Sequence, residues 1–174
     1  VGKSTVPVGT AARLRARLLD LSPDSTLVWS PEFLREGHAI VDTVEPDRIV
    51  IGAAEGERRG IDAVRAVFAA QIAADTPVVE CDLATAELVK ISANAFLATK
   101  ISFINAMSEV CDAAGADVLK LAQALGYDER IGAKFLRPGL GYGGGCLPKD
   151  VRALFARGSE IGAAQAVAFL HEVD

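Results

Sequence analysis

Chemistry-bearing side chains concentrate in one segment, Phe135 to Asp150, which reads F-L-R-P-G-L-G-Y-G-G-G-C-L-P-K-D. Cys146 stands where a glycine-rich loop gives way to a helix, since Pro148 suits the first helical position, where its missing N–H costs nothing. A thiol there lies beside the positive end of the helix dipole, with Lys149 near. Both favour the nucleophilic, negatively charged sulfur. Asp150 comes four residues after Cys146, on the same helix face. A thiol with a carboxylate neighbour suits covalent catalysis followed by hydrolysis. The same spacing also fits a buried structural cysteine with a capping aspartate. Gly139, Gly141 and Gly144 satisfy G-x-G-x-x-G. The dinucleotide fingerprint, however, needs a preceding strand and an acidic residue ending a second strand about 20 residues on. Here a loop precedes and a helix follows, so the glycines instead let backbone N–H groups approach a sugar or phosphate closely.

A second set lies on a run free of glycine and proline. Lys90 and Asn94 are four apart and Asn105 is eleven further on, close to three turns, so the three share one stripe of an otherwise apolar helix. Buried polar groups need partners or carry a penalty of a few kcal/mol each. One partner is an oxygen that gains negative charge during a reaction. The alternative is a lysine reaching to the helix edge and asparagines bonding neighbouring helices. A third set is S-P-E-F-L-R-E-G, Ser30 to Gly37, placed after a strand, where α/β proteins bind ligands. Glu32 and Glu36 flank Arg35 there, and the competing reading is a solvated turn with a surface ion pair. Lys3-Ser4-Thr5 occupies another strand end and lacks the glycines of a Walker loop. His38 and His171 are isolated and receive no role.

Elements must hold these groups. Strands are expected at Val1–Val6, Thr26–Trp29, Arg48–Gly52 and Thr76–Cys81, alternating with helices at Thr10–Leu21 and Gly60–Ala74. That alternation suggests βαβ units around a parallel sheet. From Leu83 to Ala114 the pattern predicts one long, largely buried helix, well beyond the average of about 11–12 residues. Gly115 stops it, and Asp117 caps a further helix to Leu125, ended by Gly126. Arg130 to Cys146 reads as a loop, with helices after Pro148 and after Gly162. The domain border falls near Cys81-Asp82, giving an α/β part over 1–82 and an all-α part over 83–174.

Composition narrows the function classes. The 174 residues carry a net charge of -5, with 51% hydrophobic and 24% charged side chains. This is ordinary globular composition. The acidic balance argues against nucleic acid and anionic membranes, which require a basic face. No apolar run reaches the roughly 18–20 residues of a membrane span. Cys81, Cys111 and Cys146 form no CxxC pair and have no histidine cluster, so neither a disulfide framework nor a metal site is expected, and a cytoplasmic setting is. Cys81 and Cys111 read as small core residues, and the arginines at 13, 15 and 17 as a solvated helix face. Because the chain starts at Val1 and ends at Asp174 without evident boundaries, it is expected to be an internal fragment.

Five stretches in order resemble the UDP-glucose/GDP-mannose dehydrogenase family. They are K-S-T-V-P-V-G-T, S-P-E-F-L-R-E-G-H-A-I-V-D, P-D-R-I-V-I-G, A-E-L-V-K-I-S-A-N-A-F-L-A-T-K-I-S-F-I-N and R-I-G-A-K-F-L-R-P-G-L-G-Y-G-G-G-C-L-P-K-D. The resemblance covers nearly the whole chain. It implies that 1–82 is the C-terminal part of an NAD-binding Rossmann domain, and that 83–174 is a central helical domain that dimerises and carries catalytic groups. It implies NAD-dependent, four-electron oxidation of UDP-glucose at C6 to UDP-glucuronate by the parent enzyme, with the fragment alone inactive. GDP-mannose or UDP-N-acetylmannosamine as substrate, and a non-catalytic helical dimerisation module, stand as alternatives.

By the same resemblance Cys146 is the nucleophile that forms a thiohemiacetal and then a thioester. Lys90 stabilises the oxyanion, Asn94 holds substrate, Asp150 works with Lys90 and a water, Glu32 serves acid/base steps, and Thr5 lies near that water and the cofactor. Phe33, Leu34, Arg35 and Glu36 touch the sugar nucleotide, with Glu36 also near NAD. Phe135, Leu136, Arg137, Pro138, Gly139 and Gly143 belong to the loop that cradles it. Arg130 reaches the neighbouring subunit's site, and Cys146 and Lys149 lie near the cofactor. Three positions depart from the family pattern: Gly145 for serine, Ala106 for glutamate and Ser30 for asparagine.

Overall fold

Glycine and proline set most element borders. A computed structural model describes residues 1–174, which form two compact units, Val1–Lys90 and Ile91–Asp174. In the first, helix α1 (Thr10–Leu21) begins directly after Gly9, whose φ of 93° turns the chain in a way that favours glycine. A short helix α2 (Ala39–Val44) follows, which the sequence reading did not anticipate. Strand β1 (Ile49–Gly52) comes next, buried at every position, as a strand covered on both faces must be. The helix expected over Gly60–Ala74 is two, α3 (Arg58–Val67) and α4 (Ala69–Ala73). The chain bends at Phe68, whose ring packs against the core of Val28, Ile49, Ile51, Ile61 and Val64. Strand β2 (Val78–Cys81) then pairs with β1 in parallel, Ile49 opposite Val78 and Gly52 opposite Cys81.

The two earlier expected strands are reduced to single bridges. Gly2 pairs with Trp29 in parallel, and Trp29 pairs with Gly52 antiparallel, so the parallel pattern breaks at Trp29. The connection from Trp29 to β1 holds only the six-residue α2, too little for the crossover helix a βαβ unit needs. A second cluster joins Ala11, Trp29, Val50, Leu83 and Ala86. Within it β1 approaches the helix that follows β2. A Cβ built on Gly52 would lie 2.4 Å from the Ala86 Cβ and 2.9 Å from the Asp82 carbonyl oxygen.

That helix, α5, runs unbroken over Leu83–Ala114, as the absence of glycine and proline predicts, and Gly115 ends it at φ 68°. The division between the units falls inside α5. In the second unit Asp117 caps α6 (Val118–Gly126) by accepting from the Leu119 and Lys120 N–H groups. Helix α7 (Leu147–Glu160) carries a proline in its first turn, and two short helices close the chain, α8 (Ala164–Val167) and α9 (Leu170–Val173). Ala95, Ala98, Val151, Leu170 and Val173 form this unit's core. The expectation of a largely buried α5 needs correction, because Phe96, Phe103 and Val110 are about half exposed or more. No helix is long and apolar enough to cross a membrane.

The tight approach at Gly52 gives a test. Gly52→Ala forces overpacking between β1 and α5, which typically costs about 1–3 kcal/mol. Chemical denaturation is expected to show a lower midpoint at an unchanged slope. An unaltered midpoint would mean that this contact has slack.

Candidate active site

The first unit holds the strand-end groups. Gly2 and Trp29 bridge in parallel, so Lys3–Thr5 and Ser30–Glu36 leave the sheet at the same, carboxyl end. Lys3 Nζ donates to the Ser30 carbonyl at 3.1 Å, joining the two segments. Burial holds the Lys3 ammonium below the ordinary lysine range, with Glu32 acting the other way. Glu32 accepts from the Leu34 N–H at 2.7 Å through one oxygen, and its other oxygen faces Lys90 Nζ at 3.5 Å. Lys90 is only 8% exposed, so Glu32 supplies the charge that a buried ammonium requires. Phe33 completes the cluster, with the Arg48 guanidinium 3.8 Å from its ring centre and Lys90 Nζ at 5.5 Å. The structure brings Glu32, Phe33 and Lys90 together, with Arg48, which the sequence expectation did not name.

Arg35 does not pair with the flanking glutamates. Its guanidinium and its own backbone N–H bind Asp42 on α2, at 2.5 to 3.2 Å. Asp42 was the second group missed, although it ends the H-A-I-V-D stretch. Leu34 and Glu36 are exposed on the same loop.

The second unit holds the exposed cysteine. Cys146 is exposed and is the N-cap residue of α7, at the positive end of the helix. One turn on, Asp150 is buried, at 1% exposure. Its carboxylate accepts from Asn94 Nδ2 and from Lys149 Nζ, each at 2.6 Å. Lys149 therefore neutralises Asp150, and Asn94 is a partner of α7. Asn105 accepts from the Gly139 N–H at 2.9 Å, fixing the glycine-rich loop. Tyr142 Oη donates to the Val173 carbonyl at 2.7 Å. In that loop Leu136 is buried, while Phe135, Arg137 and Gly143 are exposed and Pro138 is half-buried. Phe135 adopts φ 64°, rare for an aromatic residue. Arg130 is held by Asp128, which accepts its Nε at 2.9 Å and a terminal nitrogen at 2.5 Å. Among the other cysteines, Cys111 is buried, and burial together with Asp82 pushes the Cys81 thiol up.

Comparison with known proteins matches both units. Residues 84–173 match the central domain of the UDP-glucose/GDP-mannose dehydrogenase family, and residues 1–73 match its NAD binding domain. The chain therefore belongs to the UDP-glucose/GDP-mannose dehydrogenase family. It is 46% identical over 156 residues to a UDP-glucose 6-dehydrogenase of Rhizobium meliloti, covering 88% of this chain and 36% of that protein. It is 48% identical over 158 residues to one from Bacillus subtilis, covering 88% and 34%. The solved UDP-glucose dehydrogenase of Pyrobaculum islandicum superposes with a TM-score of 0.87 at 40% identity, over 98% of this chain and 39% of that one. The chain thus spans about a third of the length of these relatives.

The Arg35–Asp42 clamp predicts a pH dependence. The hydrogen bond from Arg35, reinforced by its backbone N–H, lowers the Asp42 carboxyl to about 2. An unpaired aspartate titrates near about 3.9. With its folded value depressed, the clamp contributes fully above about 4. It is lost as the pH falls through about 2. An NMR titration of the Asp42 carboxyl carbon is expected to show the low value, and an ordinary midpoint would dissolve the clamp.

Proposed function

We propose that the parent protein is a UDP-glucose 6-dehydrogenase that oxidises the C6 alcohol to the acid through a cysteine-bound intermediate. The observation that carries this reading is the α7 N-terminus, where an exposed Cys146 stands one turn from a buried Asp150 bonded to Asn94 and Lys149. A merely structural cysteine would be packed away, as Cys111 is. The identities of 46% and 48% to UDP-glucose 6-dehydrogenases support UDP-glucose as substrate. A GDP-mannose dehydrogenase of Pseudomonas aeruginosa is less similar, at 29% identity and a TM-score of 0.66.

The cofactor in this reading is NAD, and the residues present fit it. The Thr5 hydroxyl is half-buried and the Glu36 carboxylate is exposed. Both follow the parallel bridge, and neither has a protein partner, so both are free to bond ribose hydroxyls and amide groups. Lys149 spends one of its three N–H donors on Asp150, leaving two for a phosphate or ribose. When bound, NAD would supply the hydride acceptor for both oxidations at C6, that of the alcohol and that of the thiohemiacetal.

The chain's own residues do the rest. The Cys146 sulfur adds to the C6 aldehyde carbon, and the carbonyl electron pair moves to oxygen, forming a thiohemiacetal. Lys90 and Asn94, one turn apart on α5, stabilise that oxyanion by charge and hydrogen bonding. At the thioester stage a water attacks the carbonyl carbon and the C–S bond breaks, returning the thiolate. Glu32 takes the C6 hydroxyl proton at the alcohol stage and the proton of the attacking water at the thioester stage, while Asp150 and Thr5 orient that water. Phe33, Leu34, Arg35 and the Phe135–Gly143 loop hold the sugar nucleotide, with the exposed Arg137 free to meet phosphate.

The protein also dimerises, in this reading, with a second copy of itself. Phe96, Phe103 and Val110 lie seven residues apart on α5, 65%, 48% and 56% exposed. A heptad-spaced apolar stripe on one helix is self-complementary about a two-fold axis. Arg130, preset by Asp128, serves the partner's site. The three unpaired cysteines support a cytoplasmic setting.

Two measurements test these proposals in the protein that carries this chain. Cys146→Ser is expected to lower UDP-glucuronate formation by on the order of a thousandfold or more. Continued turnover through to the acid would end the covalent reading. Phe103→Glu is expected to convert the dimer to monomer in sedimentation equilibrium, and a dimer that persists would place the interface elsewhere.

A further inference from the structure

One buried titratable group takes no part in the chemistry above. Glu87 lies on α5 at 2% exposure. It pairs with no lysine or arginine. One carboxylate oxygen accepts from the Gly9 N–H at 2.7 Å and the other from the Ala11 N–H at 2.6 Å. These are free donors of the first turn of α1, whose own cap residue, Gly9, offers no side-chain acceptor. The positive end of α1 therefore balances a buried negative charge on another helix. The left-handed turn at Gly9 aims its N–H at that carboxylate. Upstream, Pro7 caps the same turn, its carbonyl accepting from the Thr10 hydroxyl at 2.6 Å and the Thr10 N–H at 3.2 Å. Thr5 lies two residues before Pro7, and Lys90 lies three residues after Glu87, nearly one turn along α5.

We infer that Glu87 is a positioning residue that fixes the Thr5-bearing loop to the segment of α5 that carries Lys90. The inference rests on the dehydrogenase reading above, which assigns Thr5 and Lys90 to one reaction. Its physical content is a clamp between two backbone N–H groups and one carboxylate. Ala11, wholly buried, and Ala86 keep water out of the contact. Glutamine at this position keeps the shape, but its NH2 group faces a donor where the clamp needs an acceptor.

Glu87→Gln is tested in the protein that carries this chain, beside Thr5→Ala and the double variant. Amide hydrogen exchange at Gly9 and Ala11, measured without substrate or cofactor, is expected to quicken by tenfold or more. The kcat is expected to fall about tenfold with KM for UDP-glucose within twofold. Adding Thr5→Ala is expected to lower kcat little further, because both changes remove one function. Multiplicative losses in the double variant would reduce Glu87 to a stability element and overturn the inference, as would unchanged exchange at the two amides. If Glu87→Gln does not accumulate folded, Glu87→Asp, which keeps the charge on a shorter arm, replaces it under the same criteria. A wild-type protein that forms no NADH from UDP-glucose defeats the dehydrogenase reading instead. The exchange measurement then still decides the clamp.

Discussion

One uninterrupted helix constrains everything else. With no glycine or proline between Leu83 and Ala114, α5 has a single periodicity and places each of its side chains by position alone. Most of those side chains are apolar, so hydrophobicity does not sort its faces. The polar exceptions do. Glu87 binds α1, Lys90 meets Glu32, Asn94 binds Asp150 and Asn105 holds the glycine-rich loop.

Only four polar or charged residues are buried: Ser30, Glu87, Lys90 and Asp150. Each charge among them is answered differently. Glu87 uses helix-end N–H groups, Lys90 a half-exposed carboxylate, and Asp150 an amide and a surface lysine. None is left alone in a low-dielectric interior, where an isolated ion would be very costly. Burial of three charged side chains in so small a chain is uncommon, since such groups are almost never fully buried unless paired. All three lie on two helices, Glu87 and Lys90 on α5 and Asp150 on α7.

How much of this the residues reveal depends on the range of the forces involved. The borders of α1, α5 and α6 follow from local effects, namely glycine turns and the Asp117 cap, and they are readable. So is Cys146 at a helix start, because Pro148 announces it. The bend at Phe68 is not readable, because it arises from packing against strands distant in sequence. Nor is α2, which has no strong cap and owes its place partly to the Arg35–Asp42 pair. The partners of Glu87 lie 76 and 78 residues away, so nothing local points to them. Exposure of the Phe96, Phe103 and Val110 stripe was likewise hidden, because an apolar run reads as buried whether its cover is the same chain or another.

The glycines before Cys146 have one further consequence. A side chain built on Gly143 or Gly145 would meet nothing within 4 Å, and neither residue needs a left-handed φ. Position 145 can therefore accept the serine of the family pattern without steric conflict. What the glycine changes is the unfolded chain, which gains conformational freedom that folding must remove. Order in the loop then comes from its distant anchors, Asn105 on Gly139 and Tyr142 on Val173. Sequence drift at position 145 is thus expected to be silent in the folded shape. It acts on the entropy that folding must remove from the segment before Cys146.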